Sequence, residues 1–295
     1  MTADDLVSRL VAQVRRAKRY YAPTIDPIAS ARARLDAQQF VASSIEELRA
    51  DASATMLDPA TPGLDAEPLP VWSYWDGPRD EAPPLVRACL DQLERVHPDA
   101  CILDATTVDE VAPIAPEAAA ALADHPAQRS DLIRVTLLER YGGIWVDATA
   151  FAPEPLADRV APLLDAGALY LRWPGNEVSN WFIAARRGNP LIALQRAALE
   201  RWWRERGDLP DYFLYHRIFE ALRTLDPDAR RIARRMPKVS TIPSHLLQLA
   251  MLRPYDADEV RLILETALVQ KLSYKYDPEA VPAGSVLDRL VTRGL

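Results

Sequence analysis

This sequence has few cysteines, no excess of basic residues and no long apolar runs. Its 295 residues include two cysteines, too few for a disulfide framework, and no group of cysteine and histidine residues suggests a zinc site. The net charge of −7 argues against a nucleic-acid partner, because proteins that bind nucleic acids present a basic surface. No apolar run is long enough for a transmembrane helix. Together these absences predict a cytoplasmic globular protein.

Residues 1–65 are predicted to form a helical segment and linker ahead of a main domain over 66–295. Residues 4–21 fit an amphipathic helix with one basic face, and a second helix is predicted over about 28–50. The first helix has two early acids and lacks the apolar core of a signal peptide. Its basic face either stays in solvent, with the helix packed on the main domain, or rests on an anionic membrane surface. The stretch 58–70 is rich in proline, glycine and acid, which is typical of a linker.

Short apolar runs alternate with helical patterns in the main domain, and this alternation predicts an α/β fold. The predicted strands are residues 71–75, 100–103, 144–146, 168–173 and 181–185. The main helical patterns are at 84–96, 115–124, 130–142 and 190–206. With 49% apolar residues, the chain has enough material for one large core with helices around it.

The stretch Ser130–Phe151 has the most informative pattern in the chain. Its first residue fits an N-cap position, which places Asp131 in the first turn of a helix, where a carboxylate complements the helix dipole. Two glycines, at 142 and 143, fit the end of that helix and a sharp turn. Residues 144–146 then form a predicted buried strand that ends at Asp147. Open α/β sheets hold their ligands at the carboxyl ends of strands, so Asp147 is predicted to face a ligand.

Asp131 and Arg134 are three residues apart and share one face of this helix. An acid and a guanidinium on a helix, with a second acid at a strand end, can grip a polyol and a phosphate. The stretch resembles the signature S-D-x-x-R-x-x-x-L-x-x-x-G-G-[apolar]-[aromatic]-[apolar]-D of the DXD-containing sugar transferases. That group includes mannosyltransferases and the bacterial capsular polysaccharide synthesis proteins, and the clostridial glucosylating toxins are related to it. The resemblance extends more loosely from Pro70 to about Tyr276.

The resemblance implies a GT-A fold, which is a Rossmann-like, mixed and mainly parallel sheet flanked by helices. It also implies that a hexose passes from a nucleoside diphosphate sugar to a hydroxyl of a glycan or lipid-linked acceptor, with retention, in capsular or extracellular polysaccharide synthesis. Asp131, Arg134 and Asp147 match the catalytic positions, where they bind sugar hydroxyls, ribose, phosphate or a metal ion. Asn180 matches a further catalytic position within a family-like segment, and a turn residue bonded to its own backbone is the alternative.

The first predicted strand opens the nucleotide pocket in this family, and an aromatic side chain there stacks on the base. Trp72 and Tyr74 are the candidates for this role, with burial in the core of the sheet as the alternative. Asp104 follows the second predicted strand. Its carboxylate is a candidate for binding ribose hydroxyls. The alternative is that residues 105–107 only cap the next helix, since Thr107 with Glu110 fits a capping box.

Residues 211–216 resemble the family segment DYFLFHHLF and are assigned to the acceptor. Tyr212 and His216 are four residues apart, so on a helix they would face the same way. Asp211 is an acceptor-site acid or an N-cap residue. For Asp211 and His216 the alternatives are helix capping and a satisfied core position.

A segment near the C-terminus folds over the diphosphate in this family and often supplies a metal ligand. Four of the 35 basic residues are lysines, and two of these, Lys271 and Lys275, fall in one short segment near the C-terminus. Ser273 matches a serine of the family segment, and Gln270 stands where the family often has an acid or a histidine. The resemblance therefore assigns Ser273, Lys275 and Lys271 to the diphosphate.

The family motif has a second acid two residues after the first, and that acid binds a divalent metal ion. Thr149 stands at this position here, as a donor-binding candidate without the charge that a hard cation favours. Three interpretations stay open. Asp147 holds Mn²⁺ or Mg²⁺ with diphosphate oxygens and water, or Lys271 or Lys275 replaces the metal, or the site is inactive. In the last case the chain is a non-catalytic nucleotide-sugar binder or scaffold of a polysaccharide assembly system.

Overall fold

The computed structural model describes residues 26–56, 69–175 and 177–295. The helix predicted over 4–21 and most of the predicted linker lie outside these residues. The helices of the described residues are α1 (Pro27–Met56), α2 (Pro84–Val96), α3 (Val108–Val111), α4 (Pro116–Ala121), α5 (Pro126–Tyr141), α6 (Ala157–Val160), α7 (Pro190–Glu205), α8 (Leu214–Leu225), α9 (Pro227–Arg235), α10 (Leu246–Ala250), α11 (Ala257–Glu265) and α12 (Val286–Arg293). None of these helices combines the length and the apolar character that crossing a membrane requires.

A five-stranded sheet forms the centre of the fold, with its strands in the order β2-β1-β3-β6-β5. Its strands are β1 (Val71–Tyr74), β2 (Cys101–Leu103), β3 (Gly143–Val146), β5 (Ala168–Arg172) and β6 (Val178–Ala185). β1 is parallel to β2 and β3, while β6 is antiparallel to both of its neighbours, so all strands except β6 run in one direction. The predicted mixed, mainly parallel sheet is therefore confirmed. A separate ribbon pairs β4 (Ala150–Phe151) with β7 (Gln270–Lys271).

Helices cover both faces of the sheet. Trp145 of β3 packs on one face, in a core that includes apolar residues of α1, α7 and α8. Its neighbours Ile144 and Val146 belong to the core of the opposite face, together with Val160 of α6. This alternation follows from the two-residue period of a strand. The region after β3 is therefore anchored between two packed layers.

Helix α5 begins five residues earlier than predicted, with His125 rather than Ser130 at the N-cap position. Pro126 occupies its first turn, where the missing N–H of proline costs no helical hydrogen bond, and His125 precedes it. Ser130 is therefore not an N-cap, and Asp131 lies in the second turn rather than the first. That prediction was wrong because a polar residue was preferred as the cap over a proline that could start the helix.

Two glycines with positive φ join α5 to β3. Gly142 has a φ of 69° and Gly143 a φ of 104°. A Cβ on Gly143 would lie 2.2 Å from the carbonyl oxygen of Pro70, closer than any side chain can approach a backbone atom. This oxygen accepts a 2.8 Å hydrogen bond from the amide of Ile144. The glycine thus lets β3 pair closely with the chain leading into β1.

Candidate active site

Asp147 follows β3 directly and lies between two cations. Its Oδ1 accepts a 2.8 Å hydrogen bond from Nε1 of Trp145 and lies 3.5 Å from a guanidinium nitrogen of Arg134. Its Oδ2 accepts a 2.7 Å hydrogen bond from Nζ of Lys271. Burial alone would raise the pKa of Asp147, but the charges of Lys271 and Arg134 outweigh it and hold the pKa below its usual value. Asp147 is therefore ionised at neutral pH.

Arg134 connects α5 to both neighbouring strands. It donates to the backbone oxygen of Ser130, one helical turn earlier, and to the backbone oxygen of Asn180 on β6, at 3.1 and 2.8 Å. The same guanidinium pairs with Asp131 at 3.0 Å and lies over the ring of Trp145, 5.1 Å from its centroid. Most of its donors are thus used, and the side chain has one defined position.

Asp131 forms the inner part of the cluster. Its Oδ1 accepts a 2.7 Å hydrogen bond from Nδ2 of Asn180, so the helix and β6 are joined through side chains as well. Burial raises the pKa of Asp131 to about 6, although the attraction of Arg134 opposes the rise. The structure thus brings together the four predicted catalytic residues, Asp131, Arg134, Asp147 and Asn180, at one edge of the sheet.

Lys271 comes from the far end of the chain. In the β4–β7 ribbon it pairs with Ala150, which places its side chain beside the residues that follow β3. Nζ of Lys271 contacts Oδ2 of Asp147 at 2.7 Å and Oγ1 of Thr149 at 2.6 Å. The ammonium therefore binds the first and third side chains of the triplet 147–149.

The residues present do not fit a divalent metal ion. Oδ2 of Asp147 and Oγ1 of Thr149 are both taken by the Lys271 ammonium, whose charge repels a cation. The amide of Gln270 is also used, because it accepts from the N–H of Leu247 and donates to the oxygen of Ile263. Nowhere in the described ranges do three or more histidine, cysteine or acidic residues form a group able to hold a metal. Mn²⁺ and Mg²⁺ favour carboxylate oxygens, and the only carboxylate of this triplet already binds an ammonium.

Trp72 and Tyr74 point into the core rather than into a pocket. Trp72 is buried, packs against Tyr141 and donates from Nε1 to the carbonyl oxygen of Gly142 at 2.9 Å. Tyr74 is also buried, and its hydroxyl binds Asp76. Neither ring has a free face for a nucleotide base, so the core alternative holds for both.

Trp75 and Tyr274 form the aromatic surface that sequence reasoning missed. Trp75 follows β1 directly and is partly exposed, and its ring lies edge-on to Tyr274 with centroids 5.6 Å apart. The sequence did hold a signal for this role, because Trp75 is the third aromatic residue of the run 71–75 and lies at the end of the strand rather than inside it. Tyr274 belongs to the segment that carries Ser273 and Lys275. Oγ of Ser273 accepts from the amide of Lys275 at 3.2 Å, so this hydroxyl orders the segment.

Asp104 caps a turn. Its Oδ1 accepts hydrogen bonds from the amides of Thr106 and Thr107 at 2.9 and 3.0 Å, and from both threonine hydroxyls. These bonds lower the pKa of Asp104, with the Thr106 hydroxyl as the largest cause. Asp104 thus orders the turn before α3, whereas Thr107, at the N-cap position, makes no side-chain capping bond, so the predicted capping box is not formed.

The predicted acceptor residues separate into three environments. Helix α8 begins at Leu214, so Tyr212 is not on it and the predicted shared face with His216 is wrong. Asp211 accepts from the amide of Phe213 and pairs with Arg217, both at 2.9 Å, so it orders the turn before the helix, while the N-cap position belongs to Phe213. The cause of the error is that Asp211 orders a turn before the helix starts.

Tyr212 is 65% exposed, whereas His216 is half-buried. The protein around the Tyr212 hydroxyl raises its pKa by desolvation, and the charges of Asp131 and Asp147 raise it further. The Tyr212 hydroxyl is thus within the electrostatic influence of the carboxylate cluster. Burial lowers the pKa of His216 to about 4, with Arg134 contributing, so this imidazole is neutral at pH 7.

Comparison with known proteins identifies the family. Residues 29–290 match the sequence pattern of the family described as capsular polysaccharide synthesis protein. The O-glycosyltransferase braB of Annulohypoxylon truncatum is 33% identical over 156 residues, which cover 45% of this chain and 37% of that protein, well under half of its length. A solved structure described as PaToxG Glycosyltransferase superimposes with a TM-score of 0.37 at 15% identity, over 90% of this chain and 97% of that chain. Because the family pattern covers most of the sequence, the chain belongs to the capsular polysaccharide synthesis protein family, as the motif predicted.

Proposed function

We propose that the protein is a glycosyltransferase that moves a hexose from a nucleoside diphosphate sugar to a hydroxyl of a glycan or lipid-linked acceptor, in capsular or extracellular polysaccharide synthesis. One observation carries the proposal: Asp131, Arg134 and Asp147 meet Asn180 and Lys271 beside the end of β3. Carboxylates and an amide suit sugar hydroxyls, and cations suit a diphosphate. The carboxyl end of a parallel strand is where such sheets hold ligands.

The exposed part of the cluster defines which groups meet the donor. The side chains of Asp147 and Lys271 are 21% and 19% exposed, whereas that of Arg134 is 5% exposed. The donor is therefore expected to contact Asp147 and Lys271 directly. Arg134 acts from behind and orients Asp147, which makes it a positioning residue.

The nucleotide base is assigned to the surface formed by Trp75 and Tyr274. This surface follows β1, which neighbours β3 in the sheet, so a nucleoside there places its diphosphate toward Lys271. An aromatic ring stacks on any base without a hydrogen bond. Ser273 and Lys275 lie on either side of Tyr274 in the sequence. A nucleoside stacked on Tyr274 would place its diphosphate near them, so we assign both to the diphosphate.

Transfer breaks the bond between the anomeric carbon and the diphosphate oxygen, and its electron pair stays on the diphosphate. The acceptor oxygen forms the new bond and gives up its proton. Arg134 and Asn180 engage Asp131, and Lys271 and Trp145 engage Asp147, so neither carboxylate is free to attack the sugar. We therefore propose that the retention implied by the family resemblance proceeds without a covalent enzyme intermediate, by attack on the face that the diphosphate leaves, with a departing phosphate oxygen accepting the proton.

The acceptor is assigned to the side of the site that Tyr212 borders. Its side chain is exposed, and the charges of Asp131 and Asp147 raise the pKa of its hydroxyl. An exposed aromatic ring offers a flat apolar face to a sugar and a hydroxyl for a hydrogen bond. Asp211 and His216 support this surface without contacting the acceptor.

A non-catalytic nucleotide-sugar binder is the second candidate. It is favoured by Thr149, which replaces the second acid of the family motif. A thermal-shift panel of UDP, GDP, ADP, CDP and their hexose conjugates identifies the donor, since a ligand that binds the folded state raises the Tm. Release of the nucleoside diphosphate is then measured with acceptor glycans, in Mn²⁺ and in chelator. Release under either condition supports the transferase, and tight binding without release under both supports the binder.

A further inference from the structure

The ammonium of Lys271 is held at the place where the family motif has its two carboxylates. Oδ2 of Asp147 and Oγ1 of Thr149 both accept from Nζ, at 2.7 and 2.6 Å. The side chain is 19% exposed, so it is partly enclosed and still open to a ligand. An ammonium has three N–H donors, and these two contacts leave one for a phosphate oxygen.

The strand that carries Lys271 is held in place by its neighbours, and this fixes the position of the ammonium. Lys271 pairs with Ala150 in the ribbon, and the adjacent Gln270 is fully buried and locked by bonds to the backbones of Leu247 and Ile263. Gln270 must donate to the oxygen of Ile263, which a carboxylate could not do. The amide at this position thus anchors the strand that carries Lys271.

We propose that Lys271 is the cation that stabilises the leaving diphosphate, in place of a divalent metal ion. The inference rests on the proposed function and adds a residue and a charge carrier to it. As the bond from the anomeric carbon to the diphosphate oxygen breaks, negative charge grows on that oxygen. A cation already held beside it by Asp147 and Thr149 stabilises this charge without reorganisation.

The test compares Lys271→Gln, which removes the charge, with Lys271→Arg, which keeps it. Lys238→Gln is the matched control, because Lys238 is an exposed lysine outside the site. Nucleoside diphosphate release is measured for each protein in chelator and in Mn²⁺. Wild type and the control should turn over equally well under both conditions. Lys271→Gln should lose about 100-fold or more in kcat, as removal of one stabilising donor does in other enzymes. Lys271→Arg should recover part of this loss.

A binding measurement separates this charge from a merely structural role. Calorimetry compares UDP, GDP, ADP and CDP with the corresponding monophosphates, all in chelator. Lys271→Gln should weaken binding of the diphosphate that wild type favours by about 10-fold or more, and change binding of its monophosphate less. Equal loss for both ligands, or a Tm far below that of wild type, would assign Lys271 to the fold instead.

The outcomes for the two proposals differ. A wild-type protein that releases no nucleoside diphosphate under any condition contradicts the glycosyltransferase. Wild-type turnover that chelator abolishes and Mn²⁺ restores leaves the transferase in place and overturns the role of Lys271. Full turnover of Lys271→Gln in chelator overturns it as well.

Discussion

The two halves of the candidate site are held in different ways. On one side, Arg134 is tied to its own helix, to β6 and to two carboxylates, and it is almost fully enclosed. On the other, Lys271 sits on a two-residue strand, 124 residues away from Asp147 in sequence, and is partly exposed. Asp147 lies between them and contacts both cations. The enclosed half is built to hold its shape, and the exposed half is placed to meet the donor.

The largest expected effect is on stability, from the enclosed half. Arg134→Ala leaves the carboxylates of Asp131 and Asp147 without their shared buried cation and should lower the free energy of unfolding by about 3–5 kcal/mol. Lys271→Gln should lower it by about 1 kcal/mol or less, because that ion pair is partly exposed and Asp147 keeps its bond from Trp145. Urea unfolding of both variants gives the two numbers. Equal decreases in the free energy of unfolding would show that the two ion pairs contribute equally to stability.

The next effect depends on pH and also belongs to the enclosed half. Folding raises the pKa of Asp131 to about 6, so the folded state binds more protons than the unfolded state between about pH 4 and 6. The contribution of Asp131 to stability is therefore greatest below pH 4 and falls as pH rises to 6, by up to about 3 kcal/mol. Urea unfolding of wild type and Asp131→Asn over this range measures it. The stability difference between the two proteins should shift in favour of Asp131→Asn as pH rises, and a constant difference would contradict the raised pKa.

A smaller effect concerns the glycine that leads into β3. Gly143→Ala places a Cβ against the carbonyl of Pro70 in addition to straining a positive φ. Gly175 has a similar φ of 107° with no atom near the position of a Cβ, so Gly175→Ala is the matched control for backbone strain alone. Gly143→Ala should be less stable than the control by about 2 kcal/mol or more, since the backbone itself must move. Thermal unfolding compares them. Similar decreases in stability for the two variants would mean that β3 can move away from Pro70 with little loss of folding free energy.

The enclosed half was the part that sequence reasoning could predict. Asp131, Arg134 and Asp147 lie within one helix–turn–strand unit, whose geometry is set by local spacing and two glycines. Asn180 came from a short segment that resembles the family. The start of α5 was mistaken because Ser130 fits an N-cap position, whereas the helix begins at Pro126, which is suited to the first turn.

The exposed half depends on contacts between distant segments. Trp75 meets Tyr274 only because the chain returns to the sheet edge after some 200 residues, and no local spacing encodes this meeting. Trp72 and Tyr74, the residues predicted to stack on the base, are buried instead, and sequence reasoning could not foresee this because the burial of a strand residue depends on what covers it. The contact of Lys271 with Thr149 likewise required the pairing of β4 with β7.

The smallest expected effect distinguishes the donor side of the exposed half from its acceptor side. Tyr274 and Tyr212 are 39% and 65% exposed, so Tyr274→Ala and Tyr212→Ala should each change the free energy of unfolding by no more than about 0.5 kcal/mol. Tyr274→Ala removes part of the surface proposed for the base and should weaken nucleoside diphosphate binding by about 10-fold, or ~1.4 kcal/mol. Tyr212→Ala should leave that affinity unchanged and raise the KM for the acceptor. Calorimetry and transfer kinetics read the two effects separately, and if Tyr212→Ala weakened nucleotide binding as much as Tyr274→Ala, donor and acceptor would share one surface.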